Sequence, residues 1–305
     1  MSLEIYFDKG TLVLNHWPSE FSIKNFPFVM LDKRTKNLRC PAFCYRDLIL
    51  KIRALQIPYV DKARDFQPCL FTLSEKIEPR GYQTEALRSW SEAGSRGIVT
   101  LPTGAGKTIL AVMAIAHLGR PTLVHVPTLD LMHQWYAVLS HYFKIPIGLL
   151  GGGYHQIETI TVSTYDSALL HVASKGNKFG LLVFDECHHL PSQQMQYAAI
   201  SSLAPFRLGL TATLERSDGK EQLLFSLCGP VCYQISIVEL KGKTLAPYTV
   251  KTIEVEMSET HRLEYEEARK TYVGFLKSKN IIMKEQGGWQ QFIWTAHRSQ
   301  EGKEA

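Results

Sequence analysis

The sequence predicts an α/β fold: a doubly wound parallel sheet, preceded by a small α+β unit and followed by a helical segment. Three observations carry this. Short apolar runs recur at 97–101 (GIVTL), 122–126 (TLVHV), 159–163 (TITVS), 181–184 (LLVF) and 207–211 (RLGLT), with helical patterns between most of them. The first quarter of the chain instead alternates apolar and polar residues around turn signals. Beyond about residue 250 the period becomes helical.

In chain order, EIYF and TLVL flank Asp8-Lys9-Gly10, the signature of a hairpin. AFCYRDLILKIRALQ, residues 42–56, spaces its apolar positions three and four apart and reads as a helix. Its Arg46, Lys51 and Arg53 suit either phosphate contact or a solvated helix face. Residues 66–79 hold two prolines and read as a linker. The strand–turn–helix repeat then runs to about residue 250. TIEVEM (252–257) reads as a strand. ETHRLEYEEARKTYVGFLKSK (259–279) is a helix with acids early and bases late, matching the helix dipole. Gly287-Gly288 marks a break before WQQFIWTAHRSQEGKEA opens another helical pattern. The expected domains are therefore 1–76, 77–250 and 251–305.

Composition bounds the function. With 305 residues and 45% hydrophobic content, a sizeable core and two or three domains are expected. No run approaches the ~18 apolar residues of a membrane span. The start, MSLEIYFDKG, lacks a basic-then-apolar leader, so a cytosolic protein without membrane contact is expected. The six cysteines include Cys40/Cys44 and Cys228/Cys232 at CxxxC spacing. No HxxxH or second CxxC supports a zinc site, so they read as reduced, buried, small hydrophobes. The net charge of +5 is uneven: Lys+Arg against Asp+Glu is 12 to 8 over residues 1–76, 13 to 12 over 77–250, and 9 to 9 over 251–305. The basic first quarter suits a nucleic-acid-facing module or an ordinary basic surface.

The chemistry begins at GIVTLPTGAGKT, an apolar strand that breaks into a small-residue loop and then a helix. This is the context a phosphate loop requires. In the Thr103-Gly104-Ala105-Gly106 turn, small residues let backbone N–H groups close around a phosphate, and the helix N-terminus adds its dipole. Lys107 reaches the outer phosphates of ATP, and the Thr108 hydroxyl suits Mg²⁺. The general pattern GxxxxGK[ST] has glycine where this chain has Leu101. Downstream, LLVFDECHH ends an apolar strand in Asp185-Glu186, delivering both acids to the carboxyl edge of the sheet. Asp185 would hold the Mg²⁺ and Glu186 would polarise the attacking water. His188 suits a hydrogen-bonding or coupling role better than zinc ligation. Upstream, EPRGYQTEALRSW puts Arg80 and Gln83 just ahead of and within a helix; a glutamine amide can read adenine through one donor and one acceptor, and on residue type alone the segment is equally ordinary surface. Thr211-Ala212-Thr213 closes another strand with small hydroxylated residues.

Taken together, Gln83, LPTGAGKT, PTLDLMHQW, VSTYDS, DECHH and TAT follow the order and spacing of superfamily 2 helicases, and DECH is similar to the DExH form of their second motif. More closely, the chain resembles the XPB family of DNA repair helicases, above all its short archaeal-type members. AFCYRDLI, HHLP, APFRLGLTAT and EYEEARKTYVGFL match that family's pattern. The resemblance implies a RecA-like ATP-binding domain behind a small damage-recognition domain, with the helices after residue 259 as a truncated, thumb-like, DNA-contacting element. It implies that Gln83 contacts adenine, that Thr128 and Thr164 contact the DNA backbone, and that Thr211 and Thr213 couple hydrolysis to movement. The family's Arg-Glu-Asp motif corresponds to Arg216-Ser217-Asp218, which lacks the central acid. The implied partners are forked, bubbled or damaged DNA, a repair partner such as a nuclease, and a second RecA-like domain whose arginines complete the ATP site. No second α/β series and no QRxGRxxR-like segment occurs in this sequence. Weak or no ATPase is therefore expected of these residues alone. The rival readings are another superfamily 2 motor and a non-catalytic DNA-binding scaffold.

Overall fold

A computed structural model describes residues 2–214, 219–240, 253, 255–283 and 288–296. The chain divides into two compact units, Met1–Pro247 and Tyr248–Ala305.

The first unit opens with β1 (Leu3–Asp8) and β2 (Thr11–Asn15), paired antiparallel across the expected turn. Lys9 (φ 47°) and Gly10 (φ 76°) supply the two positive φ angles such a tight hairpin needs. β3 (Met30–Asp32), β4 (Asn37–Pro41) and β5 (Tyr59–Asp61) complete a five-stranded sheet in the order β3-β4-β2-β1-β5. Helix α1 (Tyr45–Ala54) buries Leu48, Ile49 and Ile52 in this module's own core. Of the two readings left open for its cations, phosphate contact or a solvated face, neither describes them fully, because each bonds within the protein. Arg46 Nη1 donates to the carbonyls of Gly94 (2.7 Å) and Pro205 (3.3 Å), Lys51 donates to the Asn25 carbonyl, and Arg53 Nε donates to Tyr59 Oη at 2.9 Å.

The parallel sheet comes next. Helix α2 (Gly81–Glu92) leads into β6 (Arg96–Thr100), α3 (Lys107–Leu118), β7 (Thr122–Val126) and α4 (Leu129–Tyr142). β8 (Ile147–Gly151), β9 (Tyr154–His155), β10 (Ile160–Thr164) and α5 (Tyr165–Lys175) follow. Then come β11 (Leu181–Asp185), α6 (Gln196–Ile200), β12 (Phe206–Thr211), α7 (Glu221–Cys228), β13 (Val231–Gln234) and α8 (Ile237–Leu240). The strand order is β13-β6-β12-β11-β7-β10-β8-β9, parallel throughout except for the β8–β9 hairpin. Strands β7, β8, β10 and β11 are buried along their whole length, as crossover helices on both faces require. Side chains therefore alternate between two apolar clusters. Val183 lies with Trp135 on one face, and Phe184 lies with Tyr165 on the other.

The small module and the sheet are knitted together. Leu203 is buried among the small module's core residues, and a Cβ on Gly10 would come within 2.6 Å of Ser201 Cβ. Asn177 donates to the Ala63 carbonyl and accepts from Asp65 N–H through its own carbonyl, each at 3.0 Å. Residues 66–79 have no regular structure, yet they are strapped down. Cys69 N–H donates to the Gly119 carbonyl (3.0 Å), Leu73 bridges Phe143, and Ser74 N–H donates to the Tyr142 carbonyl (2.7 Å).

In the second unit, Ile253 and Val255–Met257 form no strand, and Ile253 and Val255 are largely exposed. The alternation in TIEVEM thus had no neighbouring strand to pair with among the described residues. Helix α9 (Glu259–Ser278) starts where Ser258 Oγ accepts the His261 N–H, and α10 (Gly288–Ala296) follows. Tyr272 and Phe275 meet Phe292 edge-on. No helix among the described residues is long and apolar enough to cross a membrane.

Candidate functional site

Strand register gathers the candidate site at one sheet edge. Thr211 pairs with Thr100 at the end of β6, Asp185 pairs with Leu210, and Thr164 pairs with Val126. The motif-bearing turns therefore all leave from the carboxyl ends of adjacent strands, where ligands of open α/β sheets bind.

The loop after β6 turns sharply at Gly104 (φ 78°) and Gly106 (φ 80°), conformations that glycine adopts without a Cβ penalty. A Cβ on Gly106 would lie 2.5 Å from Gln83 Nε2. The loop feeds straight into α3, whose first turn leaves backbone N–H groups without helical acceptors. Thr103 and Gly104 are exposed at the mouth, Ala105 is buried beneath them, and Thr108 is half-buried. Behind the loop, Gln83 is buried and its amide is used at both ends. Its Oε1 accepts the Arg80 N–H (3.0 Å), and its Nε2 donates to the carbonyls of Ala105 (3.3 Å) and Gly106 (3.2 Å). Arg80 Nη1 donates to Tyr82 Oη (3.0 Å), which donates to the Ala105 carbonyl (2.8 Å). Arg80 and Gln83 thus support the glycine-turn loop from the start of α2.

Lys107 Nζ meets Glu186 Oε1 at 3.0 Å, joining the two motifs. Glu186 sits in the left-handed region (φ 48°, ψ 50°), a conformation that costs a non-glycine residue of order 1 kcal/mol or more and clusters at functional sites. Its other oxygen faces His188 Nδ1 at 3.3 Å, and the same ring nitrogen lies 3.0 Å from Thr211 Oγ1. Thr211 Oγ1 in turn donates to the Thr213 carbonyl at 2.7 Å. A continuous polar chain therefore runs Lys107–Glu186–His188–Thr211–Thr213. Asp185 is buried beside it. Burial pushes its carboxyl above the ordinary range, opposed by an indole hydrogen bond from Trp135.

Thr128 and Thr164 cap α4 and α5, accepting the N–H groups of Leu131 and Ser167 at 3.3 Å each. Thr128 is exposed and Thr164 is buried. Between them lies a feature the motif reading missed, the run Gly151-Gly152-Gly153, all at positive φ. A Cβ on Gly151 would stand 3.1 Å from Thr164 Oγ1, and one on Gly152 would stand 3.0 Å from Leu129. The triple glycine was its visible signal. Arg216 and Asp218 lie outside the described residues.

A parallel sheet that brings a glycine-turn loop, a strand-ending acidic pair and a Thr-Ala-Thr turn to one edge has the layout of a RecA-like helicase domain. Two family models match the chain. "Type III restriction enzyme, res subunit" covers residues 76–216, and "Xeroderma pigmentosum group B helicase damage recognition domain" covers residues 5–63. Along most of its length the chain is similar to XPB helicases. It is 39% identical over 264 residues to "DNA 3'-5' translocase XPB2" of Sulfurisphaera tokodaii, covering 87% of this chain and 60% of that protein. It is 34% identical over 200 residues to "DNA 3'-5' helicase XPB" of Mycobacterium tuberculosis, covering 61% of this chain and 36% of that one. Among solved structures, the UvsW helicase of bacteriophage T4 matches with a TM-score of 0.46 at 18% identity, covering 76% of this chain and 100% of the other.

Proposed function

We propose that these residues are the ATP-binding half of an ATP-dependent DNA helicase or translocase of the repair type. The observation that carries the reading is the 3.0 Å meeting of Lys107 with Glu186, because it brings the glycine-turn loop and the acidic strand end into contact. The local chemistry fits ATP and Mg²⁺. The glycine turn admits phosphate oxygens to backbone N–H groups, and the Thr108 hydroxyl and Asp185 carboxylate are the hard oxygen donors that Mg²⁺ takes. When bound, Mg²⁺ supplies charge neutralisation between the outer phosphates.

In this reading Thr103, Gly104, Ala105 and Gly106 cradle the phosphates, and Lys107 exchanges Glu186 for phosphate. Glu186, once released, accepts a proton from the attacking water. Arg80 and Gln83 border the adenine side. His188, Thr211 and Thr213 relay the state of that pocket along the sheet edge, with Arg216 and Asp218 further along the chain. DNA would run past Thr128 and Thr164. The organisation into 1–76 (damage recognition), 77–250 (motor) and 251–305 (thumb-like) belongs to the same proposal, as do a cytosolic setting and a nuclease or other repair partner.

The chain spans 60% of the length of the Sulfurisphaera relative. Turnover is assigned to a pairing with a second RecA-like domain, whose arginines contribute about 10³–10⁵-fold in phosphoryl transfer. The test is ATP turnover with and without forked DNA by this chain, by Glu186→Gln, and by this chain mixed with the C-terminal half of a family member. Activity that appears on mixing and vanishes with Glu186→Gln is expected. Full turnover by this chain alone refutes the need for the second domain. DNA binding unchanged by ATP and by Lys107→Ala favours a non-catalytic scaffold.

A further inference from the structure

Asp185 is held from both faces of the sheet by aromatic residues that none of the assigned roles uses. Its side chain points to the face of Val183, where the buried Trp135 donates its indole N–H to Oδ2 at 2.7 Å. The other carboxylate oxygen, Oδ1, accepts the N–H of Glu186 at 3.1 Å. On the opposite face the buried Tyr165 donates its hydroxyl to the Asp185 backbone carbonyl at 3.0 Å. The Tyr165 ring is itself fixed, stacked on His125 (5.7 Å between centroids, 18° between planes), which stacks on Phe184 at 5.1 Å.

We propose that Trp135 and Tyr165 are positioning residues for the cation site, holding the Asp185 carboxylate in the one orientation that leaves a free lone pair for the cation. This rests on the reading of Asp185 as a Mg²⁺ ligand. The indole is suited to the task because it donates and never accepts, so its bond fixes which way the carboxylate turns. The phenol fixes the backbone from which that carboxylate hangs. Both aromatics are carried by helices that start at this edge. Tyr165 directly follows the cap Thr164, and Trp135 lies two turns, about 10 Å, along α4 from the cap Thr128. Partners that orient a metal ligand commonly contribute 10–100-fold to metal affinity.

The experiment is calorimetric binding of a non-hydrolysable ATP analogue across a Mg²⁺ titration, using this chain, Trp135→Phe, Tyr165→Phe and Trp90→Phe. Trp90 is an internal control, since its equally buried indole donates elsewhere, to the Arg207 carbonyl at 2.9 Å. Trp135→Phe should raise the Mg²⁺ concentration for half-maximal binding by about 10-fold or more, with Mg²⁺-free affinity unchanged. Tyr165→Phe should shift it in the same direction. Trp90→Phe should lower Tm without moving the Mg²⁺ midpoint. If Trp135→Phe does not fold, Tyr165→Phe decides. Analogue binding by the unmodified chain with an unshifted midpoint in the variants overturns this proposal alone, as does an equal shift in Trp90→Phe. No analogue binding by the unmodified chain overturns the ATP-site reading beneath it.

Discussion

Replacing Glu186 with glutamine should tighten ATP binding while abolishing turnover. In the structure Lys107 is already spoken for, because its ammonium lies 3.0 Å from Glu186 Oε1, with the two side chains 13% and 28% exposed. To reach a phosphate it must leave that carboxylate. An exposed ion pair contributes about 0–1 kcal/mol, and hydrogen bonds to charged groups about 1.5–3 kcal/mol. This pair lies between those cases, so its loss removes about 1–2 kcal/mol of competition, equivalent to about 5–30-fold in Kd. Glutamine keeps the shape and one acceptor but not the charge, and it also removes an anion beside the phosphates, which acts in the same direction. Calorimetry with an ATP analogue at fixed Mg²⁺ measures the effect, with Lys107→Ala as the opposite case. Equal or weaker binding by a normally folded Glu186→Gln, or wild-type binding by Lys107→Ala, would refute the account of the pair as a latch on the phosphate site.

Two stability predictions follow from buried groups on β7 and β12, the strands either side of β11. His125 is fully buried with both ring nitrogens unbonded, and burial, with the Arg207 charge adding, lowers its pKa to about 3. The unfolded chain takes up this proton near its ordinary pKa of about 6.5 and the folded chain does not, so stability is lost as pH falls through that window. The loss approaches about 1.4 kcal/mol per unit, or about 2 kcal/mol by pH 5. Urea unfolding of His125→Phe at pH 7 and pH 5 should show a correspondingly smaller loss; an unchanged acid slope counts against it. Arg207→Met should destabilise strongly, because the buried guanidinium donates to the carbonyls of Ala199, Ser202, Ala204 and Leu227 at 2.7–3.3 Å. At about 1–3 kcal/mol per stranded acceptor, a loss of at least ~4 kcal/mol is expected, and less than ~1 kcal/mol by denaturant titration contradicts it.

The parts of the molecule written in apolar periodicity were readable in advance. β7 matches TLVHV residue for residue, and β6, β10, β11 and β12 begin or end within one residue of the runs that predicted them. β8 and β13 were not read. IGLLG dissolves into glycine, and VCYQ is short and half-exposed, so neither differs locally from loop. The second unit's TIEVEM had the right alternation and no partner strand among the described residues, because pairing is a property of the fold rather than of the segment. Within the site, residue types announced the phosphate loop and the acids. The left-handed backbone of Glu186, which swings its carboxylate toward Lys107, leaves no trace in residue type. Trp135 stood in plain view in PTLDLMHQW, and its meaning required knowing that Asp185 lies across the sheet edge. Arg207 carried a subtler signal, a full charge at the start of an otherwise apolar strand.

Leu203 belongs to the parallel-sheet part of the chain and fills the core of the small module before it. Arg46 reaches back the other way to cap the carbonyls of Gly94 and Pro205. The two modules are therefore poor candidates for exchange. Grafted onto another motor, residues 1–63 would arrive with a leucine-sized void and a stranded guanidinium. The motor left behind would show an apolar side chain and unbonded carbonyls to water. A lineage can recombine beads on a string freely, but these two parts can change only in step, each holding a piece of the other's interior.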